Sequence, residues 1–187
     1  MNTRTIRSLM KKYFELSDAY SIKDGVVYVD GGCFVRRTAK TLTEIPVKFG
    51  TVTHTFQFDE CQLTSLNNAP YKCKFLDCKD NKLTSFEGLS SDFEGNLDIR
   101  NNPLTSLDYL PLKIIRVLDI PYSKTLPMLK LVQLRSDVKI YIEADDREDE
   151  KCNEIIMKYV GVTPVRKAIL LCQKELIDAG FNGNAKL

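Results

Sequence analysis

Tryptophan is absent from this sequence and histidine occurs once, at His54. A single histidine excludes a multi-histidine metal site within one chain, and any mechanism that needs two imidazoles. No run of about 18 apolar residues occurs, the length a membrane-crossing helix requires. The first twelve residues carry Arg4, Arg7, Lys11 and Lys12 with no apolar stretch behind them, so no secretory signal is expected. The chain also lacks a strong charge of either sign: 27 basic residues against 25 acidic leave a formal +2. Bulk charge therefore does not point to nucleic acid. No G-x-S-x-G, P-loop or HExxH motif is present. What is present is an ordinary globular composition, 43% apolar and 28% charged over 187 residues, enough for one domain with at most a small appendage.

Six cysteines stand at 33, 61, 73, 78, 152 and 172. Without a signal, reduced thiols in a cytoplasm are the expectation. Cys73 and Cys78 are loosely spaced and have no second pair nearby, which favours buried structural thiols over a zinc site. No metal and no cofactor is expected.

The strongest signal is internal repetition. Leu42-Thr43-Glu44-Ile45, Leu63-Thr64-Ser65-Leu66, Leu83-Thr84-Ser85-Phe86 and Leu104-Thr105-Ser106-Leu107 align, and their leading leucines are 21, 20 and 21 residues apart. Upstream of three of these leucines lie apolar-x-apolar steps, Phe56/Phe58, Leu76/Cys78 and Leu97/Ile99. Cys61, Asn81 and Asn102 stand two residues before the leucine. The period-2 step marks a short strand with one buried face. An inward Asn can bond the free backbone groups of the tight turn that follows, and Cys suits the same small, enclosed place. The Leu-Thr-Ser-Leu piece returns the chain through the core, ending soon after at Pro46, Pro70 or Pro111. Twenty residues leave little room for a full outer helix, so irregular or 3₁₀ structure is expected there.

Extending the period forward reaches Leu118/Ile120, with Ser123 in the Asn place and Thr125 in the Leu place, and then Ile140/Ile142. Extending it backward by 21 reaches Val35, but Arg37 then falls where an apolar residue is needed. Degraded terminal units are expected of an array whose ends face water.

The pattern resembles the leucine-rich-repeat family in a short, Asn/Cys-containing form. It is similar to leucine-rich-repeat proteins encoded by bacteriophages, on the strength of residues 20–30 (YSIKDGVVYVD), residues 42–52 (LTEIPVKFGTV), the Leu-Thr-Ser-Leu units and residues 175–186 (ELIDAGFNGNAK). The resemblance spans about residues 20 to 187 and departs at Arg37 and Thr125. It implies macromolecular binding and, for the phage set, no settled activity. The expected fold is α/β: a short leucine-rich-repeat solenoid with a parallel sheet of about six short strands. An N-terminal helix and cap strand (1–31), the solenoid (32–143) and a C-terminal helical hairpin cap (144–187) divide the chain.

At the N-terminus, Thr3 to Leu16 has helical apolar spacing at Ile6, Leu9, Met10, Tyr13, Phe14 and Leu16, and a strand at Val26–Val29 follows. At the other end, the acidic cluster 143–150 precedes a helix with Cys152, Ile155, Ile156, Tyr159 and Val160 on one face. Thr163-Pro164 reads as an N-cap with a first-turn proline. A second helix follows, lined by Val165, Ile169, Cys172, Leu176 and Ile177. Residues 182–187 are expected to be loose.

In such a solenoid the outward residue of each strand step forms a column. Here it is Gln57, Asp77, Asp98, Asp119 and Tyr141, with Asp59, Lys79, Arg100, Pro121 and Glu143 beside it. Stacked carboxylates repel; Lys79 and Arg100 should offset part of that cost. A solvated mixed-charge surface and a partner site are both readings of this face. As a partner site, its residues are Gln57, Asp59, Asp77, Lys79, Asp98, Arg100, Asp119 and Tyr141, meeting a basic or amide-rich protein surface. The acid column argues against nucleic acid on this face. Regional charge is +4 over residues 1–50, zero over 51–142 and −2 over 143–187. Phosphate contact, if any, would use Arg36, Arg37, Lys40 and Lys48. The functional expectation is a non-catalytic protein-binding protein, monomeric and cytoplasmic, with a host or phage protein as partner and inhibition as one outcome. Nucleic-acid association through the basic N-terminal region and a virion structural role are the alternatives.

Overall fold

The computed structural model describes residues 1–112, 115–143 and 147–187. Helix α1 (Thr3–Tyr13) leads into ten short strands: β1 (Phe14–Leu16), β2 (Tyr20–Lys23), β3 (Val26–Val29), β4 (Cys33–Val35), β5 (Lys48–Val52), β6 (Thr55–Gln57), β7 (Lys72–Asp77), β8 (Glu94–Asp98), β9 (Ile115–Pro121) and β10 (Lys139–Glu143). Helices α2 (Arg147–Tyr159) and α3 (Val165–Asp178) follow, and 3₁₀ turns occupy Arg37–Ala39 and Leu129–Gln133. The strands coil into a β-solenoid of about five turns with a mostly parallel sheet.

Six strands form the spine, pairing in parallel in the order β4, β6, β7, β8, β9, β10. β5 and β6 are two pieces of one crossing, interrupted at Thr53-His54. Both pair with β7, at Lys72 and at Phe75–Asp77 respectively. β3 extends the β5 side, β2 closes on β3 antiparallel, and β1 closes on β4 antiparallel.

The period-2 pattern places one residue column inside. Cys33, Phe56, Leu76, Leu97, Leu118 and Ile140 stack in register, all buried. The returning leucines Leu63, Leu83 and Leu104 face them from across the core, where each fully buried apolar side chain contributes about 1.5–3 kcal/mol. Toward the N-terminal end the core is aromatic: Phe49 and Phe56 meet edge-to-face at 4.8 Å, and Phe14 meets Phe49 at 5.3 Å.

The turn after each strand is built on a left-handed residue and an enclosed amide. Glu60, Asp80 and Asn101 have φ of 50°, 56° and 54°, and each immediately precedes a ladder position at Cys61, Asn81 or Asn102. Asn81 accepts from the Leu63 N–H at 2.9 Å and donates to the carbonyls of Phe58, Cys78 and Lys79. Asn102 repeats this one turn on, with the Leu83 N–H and the carbonyls of Cys78, Ile99 and Arg100. Each amide thus ties its own turn to the preceding one.

Several expectations are corrected. The N-terminal helix ends at Tyr13 rather than Leu16, because Phe14 turns into the aromatic core and residues 14–16 pair with β4. The first unit aligns Cys33, not Val35, with Phe56, so its spacing is 23 residues. Cys33 and Val35 are then the apolar pair, and the mismatch at Arg37 disappears. In the fifth turn Thr125 is exposed, while Leu126 and Met128 are buried. The amide there comes from Asn184, which donates to the carbonyls of Ser123 and Leu126.

Residues 182–187 are accordingly not loose: Asn184 is 1% exposed, and the Met128 and Leu129 N–H groups donate to the Asn184 and Lys186 carbonyls. α3 begins at Val165 with Pro164 at its N-cap and no side-chain cap bond. Its buried face is Ala168, Cys172 and Leu176, leaving Val165 and Ile177 exposed. α2 and α3 pack on each other and on Leu129–Gln133. Of the acidic cluster, residues 144–146 lie outside the described ones. Among the described residues, no helix is long and apolar enough to cross a membrane.

Candidate functional site

Strand register brings the sequence-derived column together. Gln57, Asp77, Asp98, Asp119 and Tyr141 are successive partners across β6 to β10. The corrected register adds Phe34, which pairs with Gln57. A second outward column lies beside it: Thr55, Phe75, Asn96, Val117 and Lys139. Period 2 holds one step upstream of each apolar pair, so these residues were legible, but the repeat draws the eye only downstream. The helices make their contacts elsewhere, α1 on β1 and the other two on the 3₁₀ turn at Leu129–Gln133.

Charge on this face is arranged differently from a solvated acid stack. Asp77 is 7% exposed and Asp98 3%. Each lies two residues before a cation on the same side of its strand, and that cation folds back on it. The Arg100 guanidinium grips Asp98 at two points, Nε donating to Oδ1 at 3.0 Å and Nη2 to Oδ2 at 2.7 Å. That bond holds the guanidinium above its ordinary pKa. Lys79 Nζ lies 3.9 Å from Asp77 Oδ2, and the Lys79 backbone N–H donates to Oδ1 at 3.3 Å.

Asp119 has no such cation, because Pro121 stands in that place. Burial raises the carboxyl pKa of Asp77, with Lys79 opposing and Asp98 and Asp59 adding to the rise. Burial also raises that of Asp119, with Asp98 reinforcing and Arg100 opposing. Asp59 is bound by Lys40, whose Nζ donates to its carboxylate at 2.9 Å and its carbonyl at 2.6 Å. The groups left toward solvent are the half-buried Gln57, Phe75, Asn96, Val117 and Asp119, and the exposed Lys139, Tyr141 and Glu143.

At its N-terminal end the face opens into a cavity of about 880 Å³, lined by Glu15, Val35, Arg36, Arg37, Thr38, Lys40, Gln57, Asp59 and Glu60. Its wall charges are largely paired: Arg36 Nη1 with Glu15 at 2.8 Å, and Lys40 with Asp59. Of the four cations read from sequence as a phosphate contact, Arg36, Arg37 and Lys40 line this cavity together. Arg36 and Lys40 are committed to these carboxylates, and Lys48 lines a different cavity, with Tyr71 and Lys72.

The thiols are enclosed. Burial pushes Cys61 and Cys152 up to about 11, and Cys73 and Cys172 up to about 12, so they stay protonated and poorly nucleophilic. His54 is exposed at the break between β5 and β6. Among the described residues, no three His, Cys, Asp or Glu side chains converge as a metal site. Comparison with protein-family models, with curated proteins and with solved structures finds no match.

Proposed function

We propose that this chain is a short leucine-rich-repeat protein of the kind bacteriophages encode, with α1 and the α2–α3 pair as its end caps. Its role is non-catalytic: it binds a protein partner, of host or phage origin, through the outward sheet face. The observation that carries this reading is the unbroken register of the outward columns across the spine strands, on a face away from the helices' main contacts. A stacked array of this kind suits recognition of an extended surface.

Because Asp77 and Asp98 are covered by Lys79 and Arg100, the contact falls on Gln57, Asn96, Asp119 and Tyr141, with Phe75 and Val117 as the apolar centre. Amide and aromatic groups around a small apolar patch match the make-up of protein interfaces. The partner offers hydrogen-bond donors and an apolar contact, and binding blocks whatever that surface otherwise does.

Affinity capture from a bacterial host lysate tests this reading, with the wild-type protein and a Gln57→Arg/Tyr141→Ala variant as parallel baits. A protein held by the wild type and lost by the variant is the expected result. Identical captures by both baits would remove this face from consideration.

A further inference from the structure

Helix α1 carries Arg4, Arg7, Lys11 and Lys12, and no acidic residue lies in the first fourteen positions. All four cations are exposed, while Ile6 and Met10 on the opposite side are buried in the core. None of the four forms an ion pair among the described residues; Lys12 lies over the Tyr13 ring, 4.7 Å from its centre. Stability explains only part of this arrangement: Lys11 and Lys12 stand in the last turn, where the helix dipole favours cations. Arg4 sits in the first turn, where the helix dipole favours an anion, and no acidic residue occupies that turn. Arg4 and Arg7 are three residues apart, and Arg7 and Lys11 four, so like charges face each other along the helix.

We propose that this helix face binds the phosphate backbone of duplex nucleic acid. Charge complementarity selects this occupant. The helix is anchored by its apolar side, so it has nothing to insert into a lipid surface. Its outward side, which also exposes the Ser8 hydroxyl, shows no apolar residue around which a protein interface could desolvate. From Arg4 to Lys11 the helix rises about 10 Å, the distance along a duplex axis over which one strand presents about three phosphates. Cations and hydroxyls at that spacing are the groups that position a protein on a duplex without reading its sequence. α1 makes its main contact on β1 rather than on the strands that carry the outward columns, so this contact is independent of protein binding there.

The test is fluorescence anisotropy of the full chain with a labelled duplex of about 20 base pairs, as DNA and as RNA, from low to physiological salt. The affinity is expected to fall with salt at a log–log slope near −3.6, about 0.9 for each of four neutralised phosphates. The quadruple variant R4Q/R7Q/K11Q/K12Q should lose about a hundredfold in affinity at low salt and most of the slope. Its helix is retained, because Gln forms helix nearly as well as Lys or Arg and the repulsion is gone. Circular dichroism and the thermal midpoint check this. A variant losing four cations at the other end of the chain, K151Q/R166Q/K167Q/K186Q, should bind as the wild type does. Three results overturn the proposal: no duplex binding at low salt, equal loss in the two variants, or tighter binding to polyglutamate or to phosphatidylserine vesicles than to duplex.

Discussion

Asn81 and Asn102 each make four hydrogen bonds from an enclosed side chain, and all but one in each set go to backbone carbonyls. Asn102→Ala therefore strands the Leu83 N–H and the Ile99 carbonyl. The expected cost is about 3 kcal/mol, read as a lower urea midpoint. Asp77 and Asp119 make the opposite prediction. Their folded pKa values are raised by burial, so the native state binds more protons than the unfolded state between the ordinary carboxylate range and the raised value. Stability from these groups is full at the acid end of that window and falls as pH rises through it. Asp119→Asn should thus be more stable than wild type at pH 7, and the difference should close below about pH 4, where the unfolded carboxyl also protonates. A difference that is flat with pH, or a less stable variant at pH 7, would contradict the assignment. The Asp column could be read from spacing alone. Its internal pairing could not, because the fold-back of Lys79 and Arg100 depends on side-chain conformations that a repeat pattern does not encode.

Strand β8 is irregular where its backbone passes close to that of β7. Gly95 stands at the irregularity between β8 and both neighbours, and a methyl group there would lie 2.1 Å from the Cys73 carbonyl oxygen. Gly95→Ala is expected to cost about 3 kcal/mol in chemical denaturation, since backbone rather than a movable side chain must yield. Strand existence was legible wherever apolar-x-apolar steps recur, as at Phe56/Phe58, Leu76/Cys78 and Leu97/Ile99. The register of β4 was not, because the segment between β4 and β6 holds the extra 3₁₀ turn at Arg37–Ala39 and lengthens that unit to 23 residues. The end of α1 was missed for a related reason. Phe14 and Leu16 satisfy helical spacing, but the aromatic core and the β4 edge offer more than another helical turn.

At the scale of the whole molecule, the turns stack so that each relies on its neighbours, and the last relies on the tail. Asn184 fills, from 61 residues away, the place that Ser123 cannot. Such a contact has no local signature, which is why residues 182–187 read as loose. Truncation after Phe181 should cost about 2 kcal/mol and expose the Leu126–Leu134 region to early proteolysis, because four backbone groups there lose their partners. The outward face is a further consequence of the stacking: every turn adds one residue to each column, and the helices make their contacts at other places. The most direct measurement of its role is site-specific photocrosslinking in host lysate, with a photoreactive side chain at Gln57 or Asn96 on the face, and at Tyr109 on the return side as control. Adducts to one protein from Gln57 and Asn96, and none from Tyr109, are predicted. Adducts from Tyr109 alone, or the same adducts from all three positions, would contradict a binding function for this face.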